Sequence, residues 1–286
     1  MEYLRELRLQ NFERLDLNVL EQLVQEKPNY FLKKSVVREY LQARVLQALQ
    51  DHGVFMNWAF LGGTALRFLY NIPRYSEDLD FSLIEPDKDC GFVEVLRRIK
   101  FLFESENYGI SIKVSPTKTV MSAFLKFPGL LNELGISPHR DETLSIKFEI
   151  DTNPPKGAEM STTIVRHFVT VNINHYDKAS LLAGKLHAVL ARQYTKGRDL
   201  YDLVWYLSDR TWPSPNYRLL NAALMQTGWK GDQVDKNNLK DILAGRMREL
   251  QWEKVKDDLL PFLERPQDIE MVSCENCLKL ISEKQF

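Results

Sequence analysis

Asp78 and Asp80 stand one apolar residue apart in the stretch Arg74-Tyr-Ser-Glu-Asp-Leu-Asp-Phe-Ser82. On a strand, the two-residue period sends both carboxylates to one face and Leu79 and Phe81 to the other. Two like charges held that close repel, and each favours protonation of the other. A cation between them removes the conflict. Carboxylate oxygens suit magnesium, which is commonly held by one or two carboxylates together with substrate phosphates; manganese is the alternative. Shortly upstream, Phe60-Leu-Gly-Gly-Thr-Ala-Leu66 puts a glycine pair ahead of an apolar helical pattern. Glycine lets the backbone approach a ligand closely and take positive φ. A helix beginning at Thr64 would turn free N–H groups and the positive end of its dipole toward phosphate, and Thr64 would add a hydroxyl donor. Gly-Gly-Thr alone is a common turn, and Asp-x-Asp alone a common solvated strand face. In this order and this close together, Gly62, Gly63, Thr64, Asp78 and Asp80 supply what phosphoryl or nucleotidyl transfer needs.

These residues must be positioned by a sheet. Short apolar segments at Phe55–Leu61, Leu79–Leu83, Ile110–Val114, Val120–Phe127, Leu144–Asp151 and Thr163–Ile173 read as strands. Ala65–Tyr70 and Cys90–Glu106 read as helices between them. Upstream, residues 1–52 read as helical, with Val36, Val37, Tyr40, Leu41, Val45 and Leu46 forming an apolar stripe and Gly53 suited to a helix C′ position. Downstream, Lys178–Tyr194, Arg198–Leu207, Leu219–Met225, Leu239–Leu250 and Trp252–Leu263 read as helices punctuated by Pro213, Pro215, Pro261 and Pro266. The expected organisation is an N-terminal helical segment (1–52), a mixed α/β or α+β sheet domain (53–175) and a C-terminal helical domain (176–286).

Two further stretches carry candidate chemistry. In Ile146-Lys-Phe-Glu-Ile-Asp151, period 2 puts Lys147, Glu149 and Asp151 on one strand face. In Lys185-Leu-His-Ala-Val-Leu-Ala-Arg192, helical spacing brings Lys185, Val189 and Arg192 on or near one face, and Gly197-Arg-Asp-Leu-Tyr-Asp202 follows. Read without context, the first is an ordinary charged strand face and the second a salt-bridge network.

Together, Gly-Gly-Thr followed by Arg-Tyr-Ser-Glu-Asp-Leu-Asp-Phe resembles the signature of the polymerase-β-like nucleotidyltransferase superfamily. Within it the chain is similar to the AbiEii/AbiGii toxin family, which includes the MenT toxins, over roughly residues 55 to 207. The resemblance implies a mixed sheet flanked by helices. It also implies a metal-dependent transfer of a nucleotide from a nucleoside triphosphate, in one-metal or two-metal form. Asp78, Asp80 and a third carboxylate would hold the metal. Glu149, between Phe148 and Ile150, fits the apolar-acid-apolar pattern for that third acid, with Asp151 as the rival. Arg74, Ser76 and Arg198 match nucleotide-binding positions alongside the glycine pair, and Ser76 would help seat the phosphates. Lys185 would contact the triphosphate and neutralise charge developing on phosphorus, with Asp199 at the same site and Asp202 pairing with Arg198 or Lys185. The family often carries an aspartate three residues before the lysine, where this chain has Leu182; Asp177 or Asp199 would have to replace it.

The resemblance further implies the toxin of a toxin–antitoxin or phage-defence pair, with a separately encoded antitoxin and RNA, such as a tRNA 3′ end, as leading acceptor. A protein or small-molecule acceptor keeps the same chemistry, and a non-catalytic nucleotide- or partner-binding module is the reading from another class. Which of ATP, GTP, CTP or UTP is used is not legible. Lysine and arginine total 38 and aspartate and glutamate 39, so no global field draws the chain onto nucleic acid. Lys33, Lys34, Arg38, Lys113, Lys118 and Lys126 are candidates for a local basic patch, or a set of solvated charges. No apolar run has the length of a membrane span, and the first residues lack the apolar core of a signal peptide, so a cytoplasmic protein is expected. Cys90, Cys274 and Cys277 read as reduced thiols, and Cys274-Glu-Asn-Cys277 lacks a second pair to complete a zinc site.

Overall fold

The structure is a computed structural model that describes residues 17–86, 90–115, 119–194 and 196–286. Helix α1 (Tyr30–Asp51) is capped at its start by Asn29 and ends in Gly53, whose left-handed φ of 68° lets its N–H bond Gln50. The expected stripe is buried, but so are Ser35, Arg38, Glu39 and Gln42 on other faces. The helix therefore runs through the interior, in contact with strands on either side of the sheet's middle. Burial of Glu39 is offset by an ion pair with Arg67, as a charge removed from water requires.

Seven strands form one mixed sheet in the order β3-β4-β5-β2-β1-β7-β6. They are β1 (Trp58–Leu61), β2 (Asp78–Leu83), β3 (Ser111–Val114), β4 (Val120–Pro128), β5 (Thr143–Asp151), β6 (Met160–His167) and β7 (Val169–Tyr176). Strand β2 lies in the middle, antiparallel to β1 and parallel to β5. Its apolar face is dry. Leu79 is fully buried and Phe81 nearly so, and the Phe81 ring stacks on Phe60 at 5.3 Å and meets Phe148 at 5.2 Å. Phe92 from helix α3 (Phe92–Ser105) joins at 5.8 Å from Phe148. Aromatic pairs at such separations add roughly 0.5–1.5 kcal/mol each beyond area burial, so the carboxylate-bearing face rests on a close-packed floor.

One expected strand, Thr163–Ile173, is two. β6 and β7 form a hairpin that turns at Phe168, which takes φ 59°. A bulky residue in that region is unusual, and no Gly, Asn or Pro marks the turn. Helix α2 (Gly62–Tyr70) begins two residues earlier than expected, with the glycine pair at its start, and Asn71 closes it at φ 56°. The downstream helices are a short turn α4 (Leu130–Glu133), then α5 (Lys178–Ala191), α6 (Gly197–Ser208), α7 (Tyr217–Gln226), α8 (Leu239–Glu249) and α9 (Trp252–Leu259). The last, α10 (Cys274–Glu283), was not anticipated; Ser273 caps it and Cys277 and Ile281 anchor it. Cys90, Cys274 and Cys277 are not joined in disulfides.

Helices α6 and α9 meet at Gly197. A Cβ there would collide with the Val255 carbonyl, and the Gly197 N–H donates to Asp258 Oδ2 at 2.7 Å. The C-terminal helices thus set the start of α6, which carries three charged residues of the site described next.

Candidate active site

The polar face of β2 opens into a cleft of about 350 Å³. Asp78 and Asp80 project into it from the sheet, as period 2 requires. Parallel pairing sets Asp78 beside Lys147, Asp80 beside Glu149, and Ser82 beside Asp151. Three carboxylates therefore share one small area, with Glu149 level with Asp80 and Asp151 two pairs further along. Burial, Asp78 and Glu149, in that order, push the Asp80 carboxyl up to about 7. Asp151 is raised by burial alone, and it accepts the Asn153 N–H at 2.9 Å. Glu149 is thus the third acid that the register sets beside the pair.

The floor of the cleft is the start of α2. Gly62 takes φ 80°, and a Cβ there would collide with Asp80 Oδ2; a Cβ at Gly63 would stand 2.7 Å from Arg74 Nη2 and 3.0 Å from Ser76 Oγ. Leu61 precedes the helix without a side-chain cap. The first N–H groups of α2 are therefore left open beside Gly62, Gly63 and Ser76, all of which line the cleft. A helix start of this kind has the backbone geometry and dipole to accept an anion. Thr64 does not share it: the side chain is fully buried and its hydroxyl donates to the Asp78 carbonyl, tying α2 to β2. Replacing Gly62 with alanine is expected to lower transfer at least about 100-fold, because both φ and the Asp80 carboxylate must shift, and misplacement of about 1 Å costs that much. Circular dichroism and a steady-state assay check it; an active Gly62→Ala enzyme would show that the close approach of Gly62 to Asp80 is not needed for transfer.

The opposite wall comes from α5 and α6. Asp177 caps α5, accepting the Ser180 N–H at 2.8 Å. Lys185 Nζ lies 3.0 Å from Asp199 and 2.7 Å from Asp202. Burial works against its charge, but Asp202 and Asp199 outweigh it and hold the lysine above its ordinary range. Asp199 is opposed by burial in the same way, yet Lys185 and Arg192 keep it below the ordinary carboxylate range. Asp202 also takes Arg74 bidentately, at 2.6 Å through Nε and 2.6 Å through Nη2. Arg74, expected at the nucleotide, thus touches the cleft while its guanidinium is held by Asp202 and the Tyr75 carbonyl. Asp202 pairs with Lys185 as expected, but its other partner is Arg74 and not Arg198. Arg198 lies over the Phe262 ring at 4.0 Å and 3.6 Å from Glu77. Leu182, at the family aspartate position, is a core residue; Asp177 is occupied as a cap and Asp199 stands at the lysine.

The segment from Arg74 to Asp78 is gripped from three sides. Arg38 and Gln42 of α1 bind Glu77 (3.2 Å) and the Ser76 carbonyl (3.2 Å), and the Tyr75 N–H donates to the Phe262 carbonyl at 2.8 Å. The cleft is also lined by Lys147 and Arg192, which the sequence set on one face with Glu149 and with Lys185 but gave no role, and by Lys196. Lys147 was visible in the strand alternation, whereas Lys196 had no local signal. Of the expected basic patch, Lys34 is paired with Glu142 and Arg38 is buried against Glu77; Lys118 lies outside the described residues.

Among the described residues, no three acid, His or Cys side chains have already converged as a metal-binding group. The donor set still fits a hard divalent cation. Asp78 and Asp80 offer oxygens only, and a carboxyl raised by burial and like charges is one that a cation would relieve.

A central carboxylate strand in a mixed sheet, with an open helix start beneath it, places the chain in the nucleotidyltransferase class. A candidate nucleotidyltransferase from H. pylori superposes with a TM-score of 0.53 at 19% identity, over 87% of this chain and 93% of that one. The Helicobacter pylori protein JHP933 gives 0.49 at 19% identity, over 87% and 89%. At such identity the first likeness speaks for the fold. No curated protein matches the chain. Residues 44–272 match the family described as "Nucleotidyl transferase AbiEii toxin, Type IV TA system". The chain belongs to this family of toxin nucleotidyltransferases, and its acid pair, glycine pair and late lysine all fall inside the matched span. Among the described residues no helix is long and apolar enough to cross a membrane.

Proposed function

We propose that the cleft transfers a nucleoside monophosphate from a triphosphate to an RNA hydroxyl, with magnesium held by Asp78 and Asp80. The observation that carries this reading is the meeting of the open α2 start at Gly62 and Gly63 with the Asp78 and Asp80 carboxylates in one cleft. The bound cation supplies charge neutralisation at the triphosphate. The Gly62 and Gly63 amides and the Ser76 hydroxyl bind phosphate oxygens. Glu149, the third carboxylate, accepts the proton of the attacking hydroxyl. The acceptor oxygen forms a bond to the α-phosphorus, the bond from that phosphorus to the bridging oxygen breaks, and pyrophosphate leaves. Lys185 donates to the oxygens that gain charge, and Asp199 and Asp202 aim it. Arg192, Lys196 and Arg198 give the same cleft a cationic wall, which suits a polyphosphate and the backbone of an RNA end. A cognate antitoxin follows from the type IV family.

Incubation with each α-labelled triphosphate, magnesium, and total RNA or total protein tests the reading. Label is expected in RNA and not in Asp80→Ala reactions. Label confined to protein or to small molecules would overturn the RNA acceptor, and label in no fraction would overturn the transfer assignment.

A further inference from the structure

Lys147 has no part in the steps above, yet it stands inside the carboxylate group. Strand pairing sets it level with Asp78, and its Nζ lies 2.7 Å from Glu149 Oε2. It lines the cleft, and its side chain keeps about a third of its surface accessible to solvent. Lys185, which also bears on Asp80, is held in ion pairs with Asp199 and Asp202. Asp151 lies two register pairs beyond Glu149 and is bonded to the Asn153 amide. The ammonium in ion-pair contact with the group formed by Asp78, Asp80 and Glu149 is thus that of Lys147, on Glu149.

We propose that Lys147 is a built-in counter-ion standing where a second divalent cation would otherwise sit. The cleft accordingly takes one metal ion, at Asp78 and Asp80, and Glu149 is kept for the acceptor hydroxyl. This inference rests on the assignment of Asp78 and Asp80 given above. The physical basis is local. An ammonium within 3 Å of a carboxylate satisfies one of its oxygens and repels a cation approaching the same group. A methionine of similar length keeps the apolar stem and removes both effects.

Titration of the intact protein with Mn²⁺ alone, followed by loss of the free-ion paramagnetic resonance signal, reads the stoichiometry without any turnover. Wild type should bind one ion per chain, and Asp80→Asn should lose it. Lys147→Met should bind a second ion, or the first at least about 10-fold more tightly. Lys147→Arg should behave as wild type, and adding Glu149→Gln to Lys147→Met should return binding to one ion. Two ions on wild type, or unchanged binding in Lys147→Met, would overturn the inference while leaving the metal pair intact. Binding that survives Asp80→Asn, or no binding to any form, would instead overturn the Asp78 and Asp80 assignment itself and the inference with it.

Discussion

Asp202→Ala is expected to destabilise the protein by about 3–5 kcal/mol, the usual cost of removing one partner from a buried ion pair. Arg74 is 1% exposed and Asp202 fully buried, with the carboxylate bridging Arg74 and Lys185. The alanine variant leaves a guanidinium in the interior with only the Tyr75 carbonyl, and it strips Lys185 of its shorter contact. Chemical denaturation of wild type, Asp202→Ala and Asp199→Ala orders the effects. Asp199 faces Lys185 and a half-exposed Arg192, so its loss should cost less, about 1–2 kcal/mol. A change below 1 kcal/mol for Asp202→Ala would show that the network does not hold α6 to the Arg74 segment.

Asp80→Asn is expected to have the largest functional effect: at least a 1,000-fold loss of transfer, in a protein that is more stable than wild type. The loss follows from removing one of two charged oxygen donors where triphosphate charge must be balanced. The gain follows from the same charge. Burial and the neighbouring Asp78 and Glu149 raise this carboxyl to about 7. A folded-state value above the unfolded one means that ionisation costs stability, so at pH 8 wild type carries a penalty that asparagine lacks. The gain should be on the order of 1–2 kcal/mol, or several degrees in melting temperature in the presence of a chelator. A variant that loses both activity and stability would mean that Asp80 is chiefly structural. Function and stability pull apart only if the site holds like charges together for a ligand.

What could be read without coordinates was local. Alternation along Asp78-Leu-Asp-Phe places two acids on one face whatever the strand pairs with, and this placement holds. The glycine pair was legible as a special backbone position, but its tight limits are not. Gly62 is needed because Asp80 lies against it, and Gly63 because Arg74 and Ser76 do. Pairings across long sequence separation were the hidden part. Glu149 is coupled to Asp80, more than Asp151 is, through the parallel register of β2 and β5, and nothing within either segment states that register. Arg74 with Asp202, and Tyr75 with Phe262, join residues more than a hundred positions apart. The C-terminal helices carry no motif, yet α9 sets the start of α6 through Gly197 and Asp258. The hairpin at Phe168 was missed because its turn residue is one that local preference argues against.

The cleft is expected to move a nucleotide and not a terminal phosphate. Paired reactions with α-labelled and γ-labelled triphosphate, magnesium and the acceptor fraction that takes label distinguish the two. The α label is expected in the acceptor and the γ label in released pyrophosphate, with neither from Asp80→Asn. Label from the γ position in the acceptor, or α label transferred at the wild-type rate by Asp80→Asn, would contradict it.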